Sequence, residues 1–244
     1  PKPPPPTHFL CIPLITPTSR PQLLQTLGAF RADIASPLSS FGGVPEDAIR
    51  PLGTLHLTLG IMSFPRNNNE GLDRAVGLLR SLRPREMLAD VEEEGEGNSG
   101  SDLVITLQGL ESMQAPAKAA VLYASPTDRL GTLQAFCERL RLAFREAELI
   151  VEESRPLLLH ATILNTIYVK GGGGKKGGGG AGGKKKRERL TIDARGILDR
   201  YEDQVWMEGV KMEKIAICKM GAKKVEVNGV VEDEVYEVEA EIEF

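Results

Sequence analysis

The sequence has little histidine, little cysteine and few aromatic residues, and each shortage narrows what it can do. Its three cysteines, Cys11, Cys137 and Cys218, are far apart and show no CxxC spacing. That pattern supplies neither a zinc-ligand pair nor an even set for a disulfide framework. Each lies in an apolar stretch, so buried free thiols in a reducing compartment are expected. Aromatic residues make up only 5% of the chain, which leaves the core to Leu, Ile, Val and Ala. No apolar run approaches the roughly 20 residues that a bilayer-spanning helix needs. The first residues, PKPPPP, show no secretory signal. They also lack an initiator Met, so the sequence reads as a trimmed fragment from which an upstream domain could be missing. These features point to a nuclear or cytoplasmic protein, neither secreted nor membrane-bound; a monomer is expected.

The net charge of −4 hides an asymmetry. Residues 170–189 hold eight Lys/Arg and one Glu, about +7, which leaves the remainder near −11. So acidic a remainder argues against a broad, nonspecific nucleic-acid binder, while leaving room for a small phosphate site.

The 244 residues suffice for one large domain or two fused lobes. Residues 1–6 form a Pro-rich lead-in, and 7–244 read as a single two-lobed domain with low-complexity insertions at 90–102 (acidic) and 171–187 (Gly/Lys-rich). Strands are expected at 8–15, 53–63, 103–108, 119–124, 157–169 and 212–219. Helices are expected at 21–36, at 70–82 with Asn69 as N-cap, at 126–147 with Ser125 as N-cap and Pro126 as first helical residue, and near 193–202. Asn228-Gly229 marks the turn of a final hairpin. The order reads as an α+β protein with mostly antiparallel sheet.

Only three histidines exist, His8, His56 and His160, and two of them have matching surroundings. Leu55-His56-Leu57-Thr58-Leu59 and Leu159-His160-Ala161-Thr162-Ile163 are both strand-like. Residues two apart on a strand share a face, so each His projects with its Thr while the apolar neighbours face a core. In-line cleavage of a phosphodiester needs a base on one side of phosphorus and an acid on the other. Two imidazoles can hold opposite protonation states near neutral pH. Two hydroxyls can donate to the non-bridging oxygens, where negative charge accumulates. No step needs a metal or a cofactor. Two other readings stay open: a pair of core histidines with satisfied hydrogen bonds, and a zinc site for which only His8 is spare as a third ligand.

LHLTLG and LHATILNT resemble the two HxTx motifs of the 2H phosphoesterase superfamily. THFLCIPL, IDARGILDRYED and IAICKMG are similar to its A-kinase-anchor-protein-7-like branch, which also occurs in activating signal cointegrator 1 complex subunit 1. The resemblance spans residues 7 to about 243. It implies two pseudo-symmetric lobes of mostly antiparallel sheet with flanking helices around a central cleft, the LigT-like arrangement. It implies metal-independent hydrolysis of RNA or oligonucleotides, at 2′,3′-cyclic phosphates or 2′,5′-linkages, in RNA end processing. His56 and His160 would be the acid/base pair, and Thr58 and Thr162 would hold the phosphate. Which His is the base stays open. The insertions are longer than the family core requires, and no GXXG clamp of a KH module is present.

Three further features have more than one reading. Tyr168 is expected on the strand of His160 and Thr162, on the same face, where it could stack on a base or simply be a half-buried strand residue. Lys219 could approach a phosphate or stay solvated. The basic run 184–189 reads as a linker, a nuclear-localisation patch or an RNA tether. The leading function is an RNA phosphoesterase. The alternatives are a non-catalytic nucleotide- or RNA-end-binding module with protein partners in a coactivator or helicase complex, and a scaffold whose tails carry the function.

Overall fold

The computed structural model describes residues 5–65, 69–94, 102–151, 155–169 and 189–244. The lead-in up to residue 4, most of the acidic run 90–102 and the Gly/Lys-rich and basic runs up to 188 lie outside the described residues.

The described residues build two four-stranded antiparallel sheets and one separate hairpin. β1 (His8–Pro13), α1 (Ser19–Ile34) and β2 (His56–Met62) form the first half-unit. β4 (Val121–Asp128), α4 (Leu133–Glu146) and β5 (Ala161–Asn165) form the second, with the same order of strand, helix and antiparallel neighbour. Between them come α2 (Glu70–Ser81), α3 (Pro84–Glu94) and β3 (Val104–Ser112). After them come α5 (Arg195–Arg200), β6 (Val205–Lys211), β7 (Lys214–Lys219), β8 (Lys223–Val227), β9 (Val230–Val235) and β10 (Val238–Glu243). The first sheet runs β10-β7-β1-β2 and the second β5-β4-β3-β6, so each HxT strand is the edge of its sheet.

The helices cross between the halves. α1 packs on β6 of the second sheet, where the Thr26 hydroxyl donates to the Trp206 carbonyl at 3.0 Å. α4 packs against β2 of the first. One buried apolar cluster therefore draws on both sheets, from Leu57 and Ile215 to Leu107 and Ile163. β2 and β5 meet along this seam. Arg50 donates its backbone N–H to the Ile163 carbonyl at 2.8 Å, and Ile49 bridges to Leu164.

Local chemistry explains where the elements depart from the sequence pattern. The helix expected at 126–147 starts only at Leu133, because β4 continues through Ser125 and Pro126 to Asp128. β5 flanks β4 only as far as Ala124. Beyond that one side of the strand is open, which is where a proline without an N–H is tolerated. Gly131 then turns the chain at φ +70°, and Asp128 accepts the Thr132 N–H at 2.7 Å to start the helix. The strand expected at 157–169 is hydrogen-bonded only over Ala161–Asn165. The Asn165 side chain accepts the Ile167 N–H at 3.1 Å and folds Thr166–Tyr168 into a 3-10 turn. Residues 84–94, partly assigned to the acidic loop, are helical, and the strand 205–211 was not expected. α1 begins earlier than Pro21, at Ser19. Thr16 and Ser19 exchange side-chain and backbone hydrogen bonds there in the manner of a capping box. Asn69 precedes α2 but makes no side-chain cap. The hairpin turn is as expected: Asn228 and Gly229 both have positive φ, 52° and 79°.

Candidate active site

The two motifs are built alike. Around His56 and Thr58, Leu55, Leu57 and Leu59 are buried, while the His and the Thr stay half-buried on the opposite face. Around His160 and Thr162, Leu159, Ala161 and Ile163 are buried in the same way. Strand alternation thus sets one imidazole and one hydroxyl on the face away from the core. His56 opens β2, and His160 sits one residue ahead of the paired part of β5.

Each imidazole is held by the carbonyl two residues before it. His56 Nδ1 lies 2.7 Å from the Thr54 carbonyl, and His160 Nδ1 lies 2.8 Å from the Leu158 carbonyl. A carbonyl oxygen can only accept, so Nδ1 carries the proton and Nε2 is the nitrogen left to exchange one. The two halves repeat this detail although the preceding residues differ.

Their surroundings differ. His56 is flanked by Phe9, with centroids 4.7 Å apart, and by the edge of Tyr236 at 5.3 Å. His160 meets Tyr123 edge-on at 5.4 Å, and the Tyr123 hydroxyl donates to Glu111 at 3.1 Å. Burial lowers the pKa of His56 to about 4. The nearby charges of Arg50 and His160 push it the same way, and the hydrogen bond to Thr54 opposes them. His56 is therefore neutral at pH 7, with its Nε2 lone pair available. The two edge strands β2 and β5 are in contact.

Tyr168 does not continue the face of Thr162. The 3-10 turn carries it toward the first motif, where the Arg50 guanidinium lies 3.9 Å over its ring and its phenol lies beside that of Tyr236. Lys219 is not brought to the motifs. It ends β7 opposite His8, at the far end of β1 from the Pro13–His56 pair, and lies 3.8 Å from Glu239 and 3.9 Å from Glu237. His8 is buried at that same end, 3.5 Å from Glu239. Among the described residues, no group of three or more His, Cys, Asp or Glu side chains is placed to hold a metal ion. The three cysteines are free and buried. No described helix is long and apolar enough to cross a membrane.

Several residues of this region carry no sequence signal of their own. Arg50 and Tyr236 are nearly 190 positions apart, yet the Arg50 guanidinium donates to the Tyr236 hydroxyl at 3.4 Å. Tyr236 sits in the corner between β9 and β10, inside what reads as one continuous strand. Only the Arg-Pro step six residues before His56 could have marked Arg50.

Two antiparallel sheets whose edge strands each bring a His-x-Thr pair to one seam define the 2H phosphoesterase fold. A solved structure described as a phosphoesterase shares it, with a TM-score of 0.50 and 15% identity over 98% of both chains. The AKAP7 2'5' RNA ligase-like domain matches residues 6–244, and the chain belongs to that family. An uncharacterized protein of Schizosaccharomyces pombe is 27% identical over 169 residues, 68% of each chain. Activating signal cointegrator 1 complex subunit 1 of Mus musculus is 28% identical over 203 residues, 81% of this chain and 53% of the mouse protein. The chain thus spans about half of that relative.

Proposed function

We propose that this protein is a metal-independent phosphodiesterase acting on RNA or oligonucleotides, with His56 as general base and His160 as general acid. The carrying observation is the matched pair of Nδ1-to-carbonyl hydrogen bonds, which leaves both Nε2 atoms free for proton transfer. The asymmetry of surroundings supports the division of roles: His56 is kept neutral and so can accept a proton. In hydrolysis of a 2′,3′-cyclic phosphate, His56 Nε2 takes a proton from water as its oxygen attacks phosphorus. His160 Nε2 protonates the departing ribose oxygen on the far side. The Thr58 and Thr162 hydroxyls donate to the non-bridging oxygens. A 2′,5′-linked diester is cleaved by the same transfers. RNA end processing in nucleus or cytoplasm is the setting this chemistry fits, with RNA or an oligonucleotide as the binding partner. Hydrolysis of adenosine 2′,3′-cyclic phosphate and a 2′,5′-linked dinucleotide in EDTA is the test. Turnover by the wild type that is lost in both His56→Ala and His160→Ala is expected. No turnover of either, or full activity in the variants, rejects the reading.

The second reading is a nucleotide- or RNA-end-binding module that recruits protein partners. The observation favouring it is that the mouse relative is, by name, a subunit of a complex. Nucleotide binding with no turnover over long incubation would select it.

A further inference from the structure

Among the described residues, Arg50 is a buried cation without a compensating anion. It is 4% exposed, and no described carboxylate lies within ion-pair distance of it. Its contacts are the Tyr236 hydroxyl at 3.4 Å, a long hydrogen bond, and the face of the Tyr168 ring at 3.9 Å. Both are phenols, and burial pushes the Tyr236 hydroxyl up to about 12, so it brings no negative charge at neutral pH. A guanidinium has five N–H donors in a planar fork suited to phosphate. Holding one out of water without a counter-charge is costly unless a ligand supplies that charge.

The guanidinium also has somewhere to receive a ligand. Arg50 and Tyr168 line a cavity of about 750 Å³ between α1, the turn before β2 and the β8–β9 hairpin. That volume is of the size that holds a small organic ligand, about 300–1,000 Å³. Gly28 and Leu24 of α1 and Val231 and Val235 of the hairpin give it apolar surface. Its walls also carry acidic side chains. Of these, Glu46 lies 3.6 Å from Arg31, and Asp233 accepts the Gly53 N–H and lies 3.7 Å from Arg20. A wall of that kind does not suit a polyphosphate. It suits one phosphate at the Arg50 end, with a sugar and base beyond it.

None of the four motif residues lines this cavity, and Arg50 stands between it and the first motif. The Arg50 backbone is bonded to Ile163, next to Thr162, and its guanidinium is one tyrosine ring away from His56. We infer that Arg50 binds a second phosphate of the substrate, adjacent to the scissile one, and that Tyr168 backs that subsite. The preferred substrate is then an oligonucleotide or a nucleotide with an additional phosphate, rather than a lone cyclic mononucleotide. This rests on the phosphodiesterase reading above.

The test compares substrates that differ by one phosphate: adenosine 2′,3′-cyclic phosphate and 2′,5′-linked diadenylate, each with and without a 5′-phosphate. In the wild type the added phosphate should raise kcat/KM at least tenfold on one or both scaffolds, mainly through KM. In R50Q the ratio should fall to near one, and R50K should keep part of it. No preference in the wild type, or the same preference in R50Q, overturns the inference. Because Arg50 is buried, circular dichroism melting accompanies each variant; if R50Q does not fold, the wild-type ratio and R50K decide. If nothing is hydrolysed, the phosphodiesterase reading fails separately, and calorimetric binding decides instead. Adenosine 3′,5′-bisphosphate should then bind the wild type at least tenfold more tightly than adenosine 3′-monophosphate. Equal affinities overturn the inference.

Discussion

The Gly53 N–H donates to the carboxylate of Asp233, 2.9 Å from one oxygen and 3.1 Å from the other, although the two residues are 180 positions apart. The contact docks the β8–β9 hairpin onto the 3-10 turn that precedes His56. The following residue, Thr54, supplies the carbonyl that orients the imidazole. A side chain at Gly53 would run into the hairpin backbone, with its Cβ 2.7 Å from the Glu234 carbonyl. Asp233→Ala should therefore lower kcat, since the imidazole loses its frame, and also raise KM, since the hairpin walls the Arg50 cavity. Gly53→Val should do so more severely. Steady-state kinetics with the cyclic nucleotide checks both, and a pure KM effect would separate the hairpin from His56.

The threonines should matter less than the histidines but still clearly. Removing one donor to a developing oxyanion commonly costs about 10²–10³-fold in kcat. Thr58→Ala and Thr162→Ala should each fall in that range. Thr→Ser should recover most of the rate, because the hydroxyl returns and only a methyl is lost. Loss of general acid–base catalysis commonly costs about 10²–10⁴-fold, so His160→Ala should lie at or below the threonine variants. A Thr→Ala variant with wild-type kcat would remove that hydroxyl from phosphate binding.

The pH dependence follows from His56. Its pKa is lowered from 6.5 to about 4 in the folded chain. Between those values the unfolded state binds the proton and the folded state does not, so stability falls as pH drops through that window and is fully present above it. The loss is at most about 3.5 kcal/mol, since one pKa unit is about 1.4 kcal/mol. Urea unfolding at pH 7 and pH 5 should show it, and His56→Asn should flatten the difference. In activity, the acidic limb of kcat/KM should lie below the ordinary histidine range, as the base stays unprotonated there. An acidic limb at 6.5 or above would overturn the assignment of His56 as base.

Much of this arrangement can be read in the chain itself, because strand alternation is local. Leu55, Leu57 and Leu59 on one side and His56 and Thr58 on the other need only a strand and a core. The same holds for the second motif and for the Asn228-Gly229 turn. What could not be read depends on distant partners. Pro126 looks like a helix start, yet sits in a strand because its neighbour strand has ended. Tyr168 looks like a continuation of the second motif, yet the Asn165 side chain bends it toward the first. Arg50 has no periodic signature and becomes notable only when its burial, and the lack of a described carboxylate beside it, are seen.

The crossing of α1 onto the second sheet gives the last prediction. Trp206 is the only tryptophan and is fully buried, with its ring edge-on to Phe30 at 5.2 Å and stacked near Tyr201 at 6.1 Å. Its indole N–H donates to the Gly109 carbonyl at 2.7 Å, where β3 bends at a positive φ of 72°. It therefore joins α1, α5 and the bulge of β3 at a point away from either motif. Trp206→Ala should cost about 3–5 kcal/mol, as expected for emptying a large core site. Trp206→Phe should cost less, about 1–3 kcal/mol, largely for leaving the half-buried Gly109 carbonyl without its donor. The natural fluorescence reports the wild-type transition directly: a blue-shifted emission should move to the red as one step on unfolding. If Trp206→Phe lowered stability by that amount but left kcat unchanged, α1 would act as a structural tie between the sheets. If kcat fell with it, the tie would extend to the seam where the two motifs meet.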